Sequence, residues 1–252
     1  MPAFDYSLVA DLYDSFCRFE DDIEFFRKCL QGSTGPVLEL MAGTGRISLP
    51  LLEAGVELVC VDASLPMLEV LKKKLEKGDL RAGVVCCDVR RLPFRCRFRT
   101  GIWPFHGISE LDEAADRQQA LRELRGVMQE DALLIITLHN PAIRQRSIDG
   151  KWHDHGTFRH LDGNGSVALS SRLEVDAEDG AIVGVQRVEQ ISDAGETVAV
   201  QEIPLRFALP SHPEIEAELQ AVGFEVEELY GDYDASVFDD RECPHMIWKL
   251  RS

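Results

Sequence analysis

Three carboxylates suggest the chemistry open to this chain. Glu39, Asp62 and Asp88 each stand in or just after an apolar run, and the first run breaks into a turn carrying Gly43 and Gly45. Glycines at the carboxyl end of a buried strand let the backbone approach a ligand more closely than any side chain permits. An acid ending the next strand can accept both hydroxyls of a ribose, which is the role expected of Asp62. Asp88, one strand further on, can accept from an adenine amine. Glu39 lies four residues before Gly43, where its charge repels a pyrophosphate and attracts an amine or another cation. A dinucleotide fingerprint requires Gly or Ala three residues after Gly45, but Ser48 stands there, and the turn has no phosphate-binding Lys-Ser or Lys-Thr pair. The pattern Glu-x-x-x-Gly-x-Gly therefore favours an adenosyl ligand without phosphates.

These groups need a parallel sheet to present them. The apolar runs at 37–40, 56–61, 82–87, 98–103 and 132–138 suit buried strands. Ser64 and Pro66 open a helix whose apolar face is Leu68, Leu71 and Leu75, and Ala120, Leu121, Leu124 and Val127 mark another over 112–128. Behind the fourth strand come Trp103, Pro104 and Phe105, an apolar wall able to exclude water around a cation. His106 follows, titrating near neutral pH and so suited to take a proton from a hydroxyl or an amine, or else to cap the next helix. The fifth strand ends in His139 and Asn140, again polar groups at the same edge.

The segments Glu39-Leu-Met-Ala42-Gly43-Thr44-Gly45-Arg46, Val61-Asp62-Ala63-Ser64 and Cys87-Asp88-Val89-Arg90-Arg91-Leu92 resemble, in order and spacing, the first three motifs of class I S-adenosylmethionine-dependent methyltransferases. The tail over 219–234, with Gly223, Tyr230 and Tyr233-Asp234, is similar to the closing helix, glycine and strand of their small-molecule subgroup. The resemblance is strongest over 36–140 and 211–250. It implies an α/β fold: a seven-stranded, mostly parallel Rossmann-like sheet with helices on both faces. It also implies that Glu39 holds the cofactor's amino group, Asp62 the ribose and Asp88 the adenine. Ala42, Gly43, Thr44, Gly45 and Arg46 then give close contact, with Ala63, Met67, Val89 and Trp103 beside them. Tyr13-Asp14 matches an arm that folds over the methionine end. The segment 102–110 is the one facing the transferred methyl group, with His106 as candidate base and Phe105 and His139 toward the acceptor. The reaction implied is direct displacement by a nitrogen or oxygen of a small molecule. A non-catalytic adenosyl-binding protein would share the motifs up to Asp88, and a nucleotide-dependent oxidoreductase would share the glycine turn and Asp62.

Residues 142–210 stand apart from that pattern. Alternating segments at 166–176, 181–192 and 197–207, punctuated by Asp179-Gly180 and Asp193-Ala-Gly195, predict an inserted antiparallel sheet. As a lid or an oligomer contact, such as that of a homodimer, it would carry acceptor specificity, with Trp152 and His155 at the pocket. His153, His155 and His160 have no acid or cysteine cluster around them, so no metal is expected. The organisation read is a helical cap over 1–35, a cofactor-binding core over 36–141, the insertion over 142–210, and the last helix and two strands over 211–252. In the cap, Tyr6, Val9 and Tyr13 fall at near-helical spacing. In the tail, Ser211-His-Pro213-Glu214 reads as a capping box.

Charge and composition exclude several classes. The net charge of −17 repels phosphate backbones and anionic lipid heads, which outweighs the arginines between 90 and 99 and argues against nucleic acid. No apolar stretch approaches the roughly twenty residues of a membrane span, and the acidic start is unlike an export signal. Seven cysteines, with Cys86 and Cys87 pointing to opposite faces of one strand, are no disulfide framework. A cytoplasmic protein is expected.

Overall fold

The computed structural model describes residues 4–161 and 163–252. The main sheet has seven strands in the order β10-β11-β5-β4-β1-β2-β3. They are β1 (Val37–Leu40), β2 (Leu58–Asp62), β3 (Gly83–Cys86), β4 (Phe98–Trp103), β5 (Met128–His139), β10 (Glu225–Tyr230) and β11 (His245–Arg251). All four residues of β1 are buried, as the centre of a covered parallel sheet requires. Only β11 runs against its neighbours, pairing antiparallel with both β5 and β10.

Strand alternation sends side chains to two apolar layers. Trp103, Leu134 and Ile136 join Ala120, Leu121, Leu124, Ile215 and Leu219 on one face. Ile102 and Ile135 join Phe25, Phe26, Leu51, Leu68, Leu71 and Leu75 on the other. The first layer is covered by α5 (Ala114–Val127) and α7 (His212–Ala221), the second by α2 (Asp21–Leu30), α3 (Ser48–Glu53) and α4 (Leu65–Gly78). The two short helices are α1 (Tyr13–Phe16) and α6 (Pro141–Arg144). The capping box of α7 is present at Ser211 and Glu214. Helices α5 and α7 are joined by a buried two-pronged pair, Arg117 Nε and Nη2 donating to Glu218 Oε2 and Oε1 at 3.1 and 2.7 Å.

The insertion is a four-stranded antiparallel sheet, β6 (Trp152–Arg159), β7 (Ser166–Val175), β8 (Ile182–Ile191) and β9 (Thr197–Phe207). Its first strand, residues 152–159, is one more than the alternation suggested, since the segment lacks an apolar stripe and is mostly exposed. The inner face, Val167, Leu169, Ile182, Val188, Ile203 and Leu205, packs on Phe4, Val9 and Leu12 of the N-terminal arm. The arm is therefore not one helix through Tyr6 and Tyr13: a 3-10 turn at Tyr6–Leu8 precedes α1. The break lets Val9 and Leu12 pack on the inserted sheet while both tyrosines reach the cavity beside the main sheet. Gln129-Glu-Asp131, which separates the helix and the strand run read at 112–128 and 132–138, lies inside β5 as an irregularity, with Asp131 at φ +58° and its amide donating to the carbonyl of Ser252 at 2.8 Å.

Candidate active site

Parallel strands end together, so the loops after β1, β2, β3 and β4 meet at one edge, around a cavity of about 850 Å³, a size typical of small-ligand sites. The turn after β1 brings Met41 and the bare backbone of Gly43 to its lining. Gly43 and Gly45 have φ of +57° and +88°, and a Cβ on Gly45 would lie 2.4 Å from Leu71 Cδ1. Met41, Phe105 and His106 also adopt left-handed φ, of 54°, 52° and 59°. Such conformations cost energy in residues bearing a Cβ, and here they gather where β1 and β4 open into the site.

Asp62 is fixed from two sides: Oδ2 accepts from the Gly43 amide and Oδ1 from the Ser64 amide, each at 2.8 Å. Burial pushes its carboxyl up from the ordinary range, and these amides partly offset that. Its remaining lone pairs are available to a pair of ligand hydroxyls. Replacing Asp62 with Ala is expected to weaken adenosyl-ligand binding by about 1–3 kcal/mol, since ligand hydroxyls and two loop amides lose one acceptor. Calorimetry with S-adenosylhomocysteine checks this, and unchanged affinity would place the ribose elsewhere.

Asp88 lines the cavity too, but both its oxygens are held by the Arg90 guanidinium. That pairing keeps the Asp88 carboxyl below its ordinary range. The other arm of Arg90 reaches Asp116 at 2.5 Å. Ala63, Met67 and Val89 give the cavity apolar lining, and Tyr13 and Phe105 line it as well.

Several expected contacts are spent within the protein. Glu39 is buried beneath the turn, where its Oε2 accepts from Ser48 Oγ at 2.7 Å and Cys60 Sγ at 3.5 Å; burial raises its carboxyl to about 7. Ser48, the residue standing where a dinucleotide fold has Gly or Ala, is thus Glu39's partner. Ala42 is packed in the core. Thr44 Oγ1 donates to Asp14 at 2.6 Å, and Arg46 grips Asp22 at 2.7 and 2.6 Å while its guanidinium lies 4.3 Å from the Phe105 ring centre. These two residues dock the N-terminal arm rather than line the cavity. Trp103 is wholly buried, its indole under Gly107.

His106, expected to take a proton, does not line the cavity. Its ring stacks on His139 at 3.6 Å and on His245 at 5.1 Å, and its amide donates to Thr137 Oγ1. Burial and the neighbouring imidazoles hold it well below the ordinary histidine range, so the ring is neutral and weakly basic. The ligating nitrogens of the three lie within 4.8 Å of one another, but the ring planes differ by only 20–32°. Their in-plane lone pairs therefore run side by side and do not converge on an ion. Trp152 and His155 stay on the inserted sheet: Trp152 packs under Arg187, and His155 Nε2 pairs with Ser171 Oγ at 2.7 Å.

The site also contains a pair without a sequence motif. Tyr6 Oη donates to Glu110 Oε1 at 2.5 Å on the cavity wall. The two are 104 positions apart, so spacing gave no signal.

Comparison with known proteins agrees with this geometry. A family described as methyltransferase domain matches residues 37–131. The chain is 28% identical over 239 residues, 91% of its length and 80% of the relative's, to a glycine/sarcosine N-methyltransferase of Halorhodospira halochloris. It is 29% identical over 133 residues to a protein of that description from Aphanothece halophytica, of which it spans half. Its fold resembles an S-adenosylmethionine-dependent methyltransferase from Clostridium acetobutylicum, with TM-score 0.81, 14% identity and 98% of each chain covered.

Proposed function

Since this chain belongs to the class I S-adenosylmethionine-dependent methyltransferases, we propose that it methylates the nitrogen of a small-molecule amine. One observation carries the choice of nitrogen. The cavity is lined by Asp5, Asp62, Asp88, Glu110, Asp112, Glu113 and Asp116 against one basic side chain, Arg90, which is already paired twice. An acidic cavity draws in ammonium groups and disfavours anions. Relatives described as glycine/sarcosine N-methyltransferases are consistent with it.

The cavity suits the cofactor: it has backbone amides, an oriented carboxylate and apolar walls, but no unpaired cation for a phosphate. When bound, S-adenosylmethionine supplies an electrophilic methyl group on positively charged sulfur. Asp62 would hold the ribose, Met67 and Val89 would flank the base, and Gly43 would allow close approach. Tyr6, Tyr13 and Phe105 would shield the reacting atoms from water. The protein's main contribution is alignment. The inserted sheet would act on the acceptor indirectly, through the arm it braces. A cytoplasmic location without nucleic-acid partners fits the net charge of −17. None of the described helices is long and apolar enough to cross a membrane.

The test pairs amines with hydroxyl analogues: glycine with glycolate, and an aminohexose with the parent hexose. S-adenosylhomocysteine is expected to form with amines and not with their partners. Preference for a hydroxyl compound would overturn the nitrogen reading. Cofactor binding without product from any amine would favour a non-catalytic adenosyl-binding protein.

A further inference from the structure

Glu110 is the cavity group whose chemistry the cofactor does not claim. It follows β4 in a short 3-10 turn, Gly107–Glu110, and its carboxyl faces the same space as Asp62 and Asp88. Groups from three elements face it: Tyr6 from the arm, Tyr13 from α1, and Asp62 from the end of β2. None is a cation. The nearby basic groups are engaged elsewhere, Arg90 with Asp88 and Asp116, and Arg206 with Asp112, Asp176 and Asp179. A buried carboxyl with a tyrosine donor and no counter-ion is a site for a positive ligand or a proton. The turn bearing it is braced from behind, since the Ala208 amide after β9 donates to the Ser109 carbonyl at 2.9 Å.

We propose that Glu110, oriented by Tyr6, is the catalytic residue that receives the acceptor's ammonium group and takes its proton. This rests on the amine reading above. In the step, one N–H bond breaks with its electron pair left on nitrogen, and the proton passes to a Glu110 carboxylate oxygen. The neutral amine then has the lone pair that attack on a methyl group requires. Tyr6 can donate throughout, because burial and Glu110 hold its phenol well above the ordinary range. In the free cavity, burial raises the Glu110 carboxyl to about 8, while Tyr6 pulls it down. The direction gives a sign: the free site holds a proton below about pH 8 and gives it up when a cation arrives.

That exchange can be read without turnover. Protein saturated with S-adenosylhomocysteine is titrated with methylammonium chloride at about pH 7.5, in phosphate and in HEPES, which carry no primary ammonium group and differ in ionisation heat, so that the two enthalpies give the protons released. A carboxyl titrating near 8 is about three-quarters protonated there, so release of about that fraction is expected, falling to nearly none at about pH 9.5. Glu110→Gln should bind S-adenosylhomocysteine within about twofold of the parent, bind methylammonium at least about tenfold more weakly, and release no proton. Tyr6→Phe, which removes only a hydroxyl, should push release toward a whole proton and weaken the amine. If Glu110→Gln releases as many protons as the parent, or binds methylammonium equally well, the proposal is overturned. Failure of the parent to bind S-adenosylhomocysteine would instead overturn the cofactor assignment beneath it. A preference for hydroxyl acceptors in the paired panel would overturn the amine reading.

Discussion

Replacing Asp22 with Ala is expected to remove about 3–5 kcal/mol of stability and to weaken S-adenosylhomocysteine binding in the same step. Asp22 is fully buried at the start of α2, and both its oxygens meet the Arg46 guanidinium, whose side chain is only 12% exposed. Deleting the carboxylate strands a buried cation with one remaining acceptor, the Phe19 carbonyl at 2.7 Å. Relief comes most readily by releasing the arm, which also carries Tyr6 and Tyr13 to the cavity. Stability by urea denaturation and affinity by calorimetry should therefore fall together. A loss below about 1 kcal/mol would show that the pair behaves like an exposed one.

Arg117→Ala should cost a similar 3–5 kcal/mol, because it leaves Glu218 charged and unpaired between α5 and α7. Here the expected loss of affinity for S-adenosylhomocysteine is smaller, since neither residue lines the cavity and Arg117 reaches it only through the Leu111 and Asp112 carbonyls, each accepting at 3.1 Å. Replacing Arg117 and Glu218 together with Met and Leu should recover most of the loss, for no unpaired charge then remains. The contrast is the check: two buried pairs of like chemistry, one coupled to binding through the whole arm and one only through two loop carbonyls. If Arg117→Ala lowered affinity as much as Asp22→Ala, the coupling through the arm would be unsupported.

The main sheet was legible because its signals are local. Buried parallel strands are continuous apolar runs, and β1, β2 and β4 each read that way before the glycine, acid or proline that ends them. Asp62 was legible for the same reason, being fixed by its place at a strand end. Glu39 shows where this reasoning stops. The position was recognisable, but whether its carboxylate turns toward ligand or beneath the turn depends on Ser48 and Cys60, and the latter arrives on another strand. Thr44 and Arg46 likewise sit in the motif yet face the arm, because Asp14 and Asp22 from before β1 capture them. Strand β6 lacked the apolar alternation that marks its neighbours. Glu110 and Tyr6 were each visible as residues, but their meeting is tertiary, and no periodicity encodes it.

The place of β11 bears on how the molecule is made. It enters the sheet between β10 and β5, pairing His245 with His139 through to Arg251 with Leu133. A nascent chain that has emerged as far as β10 still carries an open edge on β5, one of the most apolar strands in the molecule. The sheet cannot close until residues 245–251 leave the ribosome, and until then that edge is open to pairing with other chains. Loss of residues 245–251 would accordingly remove an interior strand of the sheet.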